Sequence, residues 1–348
     1  MKIITALGVS MALAASSHLA QGADAQPATA APGSCSPAAD LRFVCGLANV
    51  EDFVPVAGGR WLVGGSLKVG SAGLYLIDTT AKTARAVALS IASEPVRMYG
   101  NCTAPDLRGL STHGLDVVTV GGAATVYVVN HGGRESVEVF RLDTARGAAE
   151  WVGCVILPEG ASGNAVAALP DGSFFVSKFT DTRDKNAMQR VMAGEINGVV
   201  YLWKPGVGFS EVPGTRLSGD NGLVVSADHR WLFVNAYGTR EIYRVPLTGA
   251  GASAHVQVAF SPDNLRWTPD GKLFVTGQFL KSAALGDPHA WETIRLDPKD
   301  MSTASVVKEA GLAEFADATS TVQVGQTLWF GTFRGDRVAY RSAPTRTR

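Results

Sequence analysis

Glu51, Asn164, Asn221, Asp263 and Asn264 share a placement in this chain. Each heads an apolar run, in the strings EDFVPV, NAVAAL, NGLVVS and DNLRWT, and each stands 9 to 11 residues before a second hydrophobic segment. His113 heads HGLDVV in the same way, 13 residues before its own. Carboxylate and amide oxygens, without thiolates or an imidazole cluster, form a donor set for a hard cation. Calcium takes about six to eight oxygen ligands in adaptable geometry and accepts Asn carbonyls. Zinc asks for His or Cys at short spacing, which is missing here. One Asn or Asp at a strand entrance merely caps a turn. The same polar head at similar offsets in five repeats points instead to one site. His113 and His131 add groups whose ordinary pKa, about 6.5, suits proton transfer near neutrality. The other histidines, His18, His229, His255 and His289, have no comparable placement.

The offset has meaning because the second segment recurs. RWLVGGS, TVYVVNH, SFFVSKF, WLFVNAY, KLFVTGQ and TLWFGTF are six variants of one short strand, at 60–66, 125–131, 173–179, 231–237, 272–278 and 327–333. Each follows an apolar stretch and a turn such as Pro-Asp-Gly or Gly-Gly, and each precedes a further strand-like run. The spacing fits propeller blades of roughly 40–50 residues with insertions. Such a unit cannot bury both faces alone but can when arranged radially. The predicted fold is therefore an all-β, six-bladed β-propeller, with the N-terminal segment completing the last blade. Equivalent positions of every blade lie at one end of the central channel, so the polar heads should converge on the axis. Ala187, Met188, Val191 and Met192 fall at helical spacing within 180–197 and predict a short helical lid insertion over one end.

Composition sets the limits. The chain has 348 residues, 46% hydrophobic, with 31 basic and 31 acidic residues. That balance gives no basic stripe for nucleic acid and no polybasic run for anionic lipid. Residues 1–25 read as a signal peptide: Lys2, an apolar stretch from Ile3 to Ala15, and Ala23-Asp24-Ala25 as a small-x-small cleavage site. The apolar stretch is too short for a membrane span. Residues 26–34 read as a disordered leader and 35–348 as a single domain, secreted or periplasmic. Four cysteines in an exported chain form two disulfides, and Cys35–Cys45 with Cys102–Cys154 is the preferred of three pairings, because the first pair is close in sequence.

In the order and spacing of Glu51-Asp52, His113-Gly114-Leu115, VYVVNHGGRESVEVF, Asn164, Asn221-Gly222 and Asp263-Asn264, the chain resembles the paraoxonase/arylesterase-type calcium-dependent six-bladed propellers. Gluconolactonase-like and strictosidine-synthase-like propellers share the fold and some metal positions. The resemblance implies an axial calcium held by Glu51, Asn164, Asn221, Asp263 and Asn264, and a proton-handling dyad of His113 and His131. It also implies a second, buried calcium at Asp52 and the Leu115 main-chain oxygen. The family places an Asp after the first Asn, however, and here stands Ala165, so weak or absent binding is expected at the second site. No cysteine follows Cys154, so the family's staple between the two chain ends is absent.

The function implied is hydrolysis of a small-molecule lactone or aryl ester. Calcium polarises the carbonyl, and His113, oriented by His131, takes a proton from water. Glu51 or Asp263 can serve as base or nucleophile instead, and the residues leave that choice open. No Gly-x-Ser-x-Gly elbow is present, which argues against a serine esterase. Two alternatives stand: a non-catalytic exported propeller with structural calcium, and a sugar-acid lactonase of gluconolactonase type.

Overall fold

A computed structural model of the chain describes residues 35–100, 102–249, 251–280 and 289–344. The predicted signal peptide and leader lie outside the described residues. Strand β1 (Arg42–Cys45) comes first, and six antiparallel sheets follow from it. Blade I holds β2 (Phe53–Val56), β3 (Trp61–Gly65), β4 (Leu74–Asp78) and β5 (Thr83–Ala86). A short strand, β6 (Ala88–Ile91), crosses to blade II and pairs in parallel with its outer edge. Blade II is β7 (Thr112–Val120), β8 (Ala123–Asn130), β9 (Ser136–Asp143) and β10 (Ala148–Ile156). Blade III is β11 (Ala161–Ala168), β12 (Phe174–Asp181), β13 (Val199–Lys204) and β14 (Gly208–Glu211), with helix α1 (Ala187–Met192) between β12 and β13. Blade IV is β15 (Asp220–Val225), β16 (Trp231–Ala236), β17 (Glu241–Pro246) and β18 (Ala254–Gln257). Blade V is β19 (Ser261–Trp267), β20 (Leu273–Gln278), β21 (Trp291–Leu296) and β22 (Thr303–Glu309). Blade VI is β23 (Ala318–Val324), β24 (Thr327–Thr332) and β25 (Arg337–Ser342), completed on its outer edge by β1.

The first strand of each blade is innermost. β2, β7, β11, β15, β19 and β23 each touch the next, and β23 touches β2, so six strands close around the axis. The second strands are the six recurring hydrophobic segments, now seen as the buried middle of each blade. They are rich in Val, Leu, Phe and Trp, whose branched or flat side chains fill the pleated faces. One hydrophobic cluster lies between each pair of neighbouring blades. Blades I and II, for example, share Val63, Leu76, Leu115, Val128 and Trp151, and blades V and VI share Phe274, Trp291 and Phe330. No blade has a core of its own, so ring closure and folding are one event.

Closure is made by main-chain pairing: β1 runs antiparallel to β25 from Arg42 opposite Tyr340 to Cys45 opposite Arg337. The Cys35–Cys45 disulfide ties the segment ahead of β1 to that strand, and Cys102–Cys154 ties the β6–β7 connection to β10. These are the pairings preferred from the sequence, and two disulfides belong to the chemistry of an oxidising compartment. No helix among the described residues is long and apolar enough to cross a membrane. A crosslink across 52 residues removes loop-closure entropy from the unfolded chain. The Cys102→Ser/Cys154→Ser double variant should therefore lose more stability in urea titration than Cys35→Ser/Cys45→Ser, whose loop spans 10 residues. The loop-closure expectation is about 4 kcal/mol for the longer loop and about 3 kcal/mol for the shorter. Equal losses would mean that native contacts, not unfolded-state entropy, set the disulfides' contribution.

Candidate functional site

Four of the innermost strands are bulged at the same level. Their pairing register to the second strand jumps between Thr112 and Leu115, Gly163 and Val166, Asp220 and Leu223, and Pro262 and Leu265. The residues inside these jumps are His113-Gly114, Asn164-Ala165, Asn221-Gly222 and Asp263-Asn264. Bulges re-aim side chains and increase local twist, so the predicted polar heads are the residues released from regular pairing. Glu51 and Asp52 stand just ahead of β2. In three of the pairs the second residue is small (Gly114, Ala165, Gly222), and neighbouring blades approach closely there: a Cβ on Gly114 would lie 2.5 Å from the Asn164 carbonyl oxygen, and one on Gly222 2.4 Å from that of Asp263. Backbone groups freed by the bulges are taken up by second-strand side chains. Asn235 Nδ2 donates to the Asp263 carbonyl at 2.7 Å, and the Ala165 N–H donates to Ser177 Oγ at 3.0 Å.

Glu51, Asn164, Asn221, Asp263 and Asn264 are all buried. Asn264 Nδ2 donates to Glu51 Oε1, and Gln278 Nε2 donates to Asp263 Oδ2 at 2.8 Å. Gln278 is held in turn by Tyr237, whose hydroxyl donates to Gln278 Oε1 at 3.1 Å. Three acceptors of the predicted ring, Glu51 Oε2, Asn164 Oδ1 and Asn221 Oδ1, are buried with no hydrogen-bond partner. Burial pushes the Glu51 carboxyl far up, and the negative charges of Asp263 and Asp52 push it further. Burial likewise raises Asp263. Buried acceptors without donors, beside carboxylates that resist ionisation, are what a bound cation corrects. These residues therefore fit a hard cation. The Asn264 amide must then turn so that its oxygen, not its NH2, faces the ion. Among the described residues no three His, Cys, Asp or Glu form a metal-binding group; a ring of two carboxylates and three amides is a weaker, harder donor set than such a group, and suits calcium rather than a transition metal.

Beside Glu51 lies an ordered relay. His113 Nδ1 is 2.9 Å from His131 Nε2, and His131 Nδ1 is 2.9 Å from Glu135 Oε1. Glu135 was not among the residues singled out from the sequence. It is anchored to blade III, its Oε2 accepting from the Gly163 N–H at 3.1 Å. The turn carrying His131 is knitted by buried Asn130, whose Oδ1 accepts from the Ser111 and Gly132 N–H groups at 3.0 and 2.9 Å. The proton positions follow from donor and acceptor capacity. A carboxylate only accepts, so His131 carries its proton on Nδ1 and accepts on Nε2. His113 must then donate from Nδ1, which leaves its Nε2 lone pair free. That nitrogen lies 3.6 Å from Glu51 Oε2. Burial, and secondarily His131, hold His113 well below the ordinary imidazole range, so it is neutral near pH 7.

Asp52 is arranged differently from the ring. Its Oδ1 accepts from the Phe53 N–H at 2.9 Å and from Arg266 Nε at 3.2 Å, while its Oδ2 is engaged by Arg266 Nη2 and by the Leu115 N–H at 3.3 Å. Arg266 Nη2 also donates to the Leu115 carbonyl at 2.8 Å. Both oxygens of Asp52 and the Leu115 carbonyl already face a cationic side chain, so they do not fit a second calcium. Arg266 too was passed over in the sequence, although it sits in the quoted string DNLRWT, two residues after Asn264.

Helix α1 packs at the same end as the ring. Val191 is buried against Tyr237 and Leu280, with Phe179, Met188 and Met192 half-buried beside them. Blades III, IV and V thus supply an apolar wall, and blade II supplies the histidines. His289 departs from expectation: its Nδ1 is 2.7 Å from Oδ1 of buried Asp317, which also pairs with Arg334.

The relay makes a prediction independent of any activity. In 15N-labelled protein both His113 and His131 should show the Nδ1–H tautomer by imidazole nitrogen shifts. Glu135→Gln, which can also donate, should mix the His131 tautomers without unfolding the chain. An Nε2–H tautomer at His113 in the parent would break the assignment.

Comparison with known proteins places the chain. The SMP-30/Gluconolactonase/LRE-like region matches residues 74–307, two thirds of the sequence. No curated protein gives a significant match. Among solved structures, a gluconolactonase from Xanthomonas campestris superposes with a TM-score of 0.56 at 18% identity, covering 87% of this chain and 89% of that one. A luciferin-regenerating enzyme gives 0.55 at 12% identity, covering 86% and 93%. Regucalcin from Agrobacterium tumefaciens, a calcium-binding protein, gives 0.51 at 12% identity, covering 86% and 91%. At such identities the likeness is one of fold. With six blades, their shared axial end and the family match over β4 to β22, the chain belongs to the SMP-30/gluconolactonase/LRE-like family.

Proposed function

We propose that this protein is an exported, calcium-dependent hydrolase of lactones or esters, acting at the axial end of the propeller. The observation that carries the reading is the relay Glu135–His131–His113, which ends in a neutral imidazole nitrogen 3.6 Å from a ring carboxylate oxygen that has no other partner. Glu51, Asn164, Asn221, Asp263 and Asn264 would hold the cation. When bound, calcium supplies Lewis-acid polarisation of a carbonyl and stabilises negative charge developing on its oxygen. His113 Nε2 accepts a proton from water as that water attacks. The His113 Nδ1 proton then passes to His131 Nε2, Glu135 stabilises the cationic His131 that results, and the proton returns along the same path to the leaving alkoxide oxygen as the acyl–oxygen bond breaks. Tyr237 and Gln278 hold Asp263 in place. The apolar cluster of Phe179, Met188, Met192 and Leu280 at the ring's end of the propeller would favour an apolar acyl or aryl portion over a polyhydroxylated one. The family, a solved gluconolactonase and a calcium-binding regucalcin support lactone and calcium respectively. The two disulfides and the predicted signal peptide support secretion or a periplasmic address.

Turnover of a panel of γ- and δ-lactones and aryl esters should vanish on chelation and return with calcium. His113→Gln should lower kcat by roughly 10²- to 10⁴-fold, the range of a general base, and Glu135→Gln by less. Aliphatic lactones should outrank aldonolactones. A preference for aldonolactones that tolerates His131 substitution would favour the sugar-acid lactonase instead. If nothing turns over in calcium while chelation still lowers Tm, the cation is structural and the propeller is a binding module.

A further inference from the structure

The charge in the middle of the channel is balanced by the chain itself. Among the described contacts Arg266 is the arginine that reaches the buried axial carboxylates, and it does so at Asp52; it is 8% exposed, and Asp52 is fully buried. Its guanidinium forks across both oxygens of Asp52 with Nε and Nη2, and Nη2 reaches the Leu115 carbonyl as well. The planar fork matches a carboxylate, and the group stays charged at any pH a protein survives. Asp116 stands on the other side, its oxygens accepting from the Val117 and Ala168 N–H groups at 2.8 and 2.9 Å. Beyond it, a cavity of about 270 Å³ lined by Val54, Asp116, Val224, Arg266, Trp267 and Val322 opens at the opposite face from the ring. The guanidinium is thus a plug between the acceptor ring and that cavity.

We propose that Arg266 is a covalently tethered cation that occupies an oxygen-ligand site formed by Asp52 and the Leu115 carbonyl, so that the propeller takes up no exchangeable metal there. A divalent ion could enter only by expelling a side chain that is bidentately bound and tethered, and so present at high effective concentration. This assignment stands apart from the hydrolase reading. It concerns a different set of ligands.

The test counts calcium. Wild type and Arg266→Ala are brought to equilibrium dialysis against calcium, and bound ion per folded chain is measured. The variant should hold one equivalent more than wild type, and millimolar calcium should raise its Tm while leaving wild type's second site silent. Its Tm without calcium should fall by on the order of 10 °C, because a buried carboxylate loses its partner. Asp52→Asn/Arg266→Gln, which removes both charges, should recover most of that loss and hold no extra ion. Two equivalents on wild type, or an Arg266→Ala protein with the wild-type count, overturns the assignment. Should Arg266→Ala not fold at all, the wild-type count and the double variant decide: a double variant as unstable as the single removes the ion-pair argument. A wild-type count of zero with a gain of one in Arg266→Ala supports Arg266 and sinks the axial calcium instead.

Discussion

A closed ring of six strands leaves little water at its axis, and this chain places carboxylates and amides there. The rest of the structure answers that constraint. An ionised carboxylate in such a place is costly unless cation or donors surround it. Glu51 and Asp263 are pushed toward their neutral forms by burial, and Glu51 also by its acidic neighbours. Many of the polar groups there are satisfied by the protein: the bulged backbone groups by Asn235 and Ser177, the Glu51 carbonyl by Thr319 and Ser320, Asp263 by Gln278. Acceptors left over on Glu51, Asn164 and Asn221, with both oxygens of Asp220 beside them, point to a ligand that brings positive charge.

The two levels of the channel treat the same electrostatic problem in different ways. At the outer level the acceptors are carried by four blades, and none of them reaches a cationic side chain. At the inner level Asp52 is paired with Arg266, whose own strand, β19, also carries Asp263 and Asn264. Ala165, where the resemblance expects a carboxylate, fits this exchange: one carboxylate with one guanidinium is as neutral as two with a divalent ion. A fixed cation costs nothing in metal supply and cannot be chelated. An exchangeable one can bind a substrate oxygen, whereas this guanidinium is held through Nε and Nη2 by Asp52 and Leu115.

The relay depends on the architecture as much as the ring does. His113 lies in the innermost strand of blade II, His131 at the end of the second strand, and Glu135 in the following turn, pinned to blade III by the Gly163 N–H. Proton position at His113 is therefore set by a contact between blades, and ring closure through β1 and β25 keeps those blades at fixed distance. Helix α1 completes the surround with apolar contacts and a hydrogen bond from the Ser218 hydroxyl to the Val191 carbonyl at 3.1 Å.

The repeat, its six copies, the short helix and the polar heads were all legible in the sequence, because a blade's second strand is a local apolar pattern and a bulged polar residue interrupts it at a constant offset. The disulfide pairing was legible for a similar reason, from separation along the chain. Glu135 and Arg266 lie inside the strings VYVVNHGGRESVEVF and DNLRWT, yet nothing local marks their roles. A glutamate four residues after a histidine in a turn, and an arginine in an apolar strand, acquire meaning only from partners far away in sequence: Gly163 for one, Asp52 and Leu115 for the other. His289 shows the same thing, since Asp317, itself paired with Arg334, reaches it only in space. What the amino-acid order determined was which residues reach the axis, since period and offset are properties of one strand. Which of them face a cation, a base or each other was decided by closure of the ring, because only there do six separate strands share one dry, low-dielectric centre.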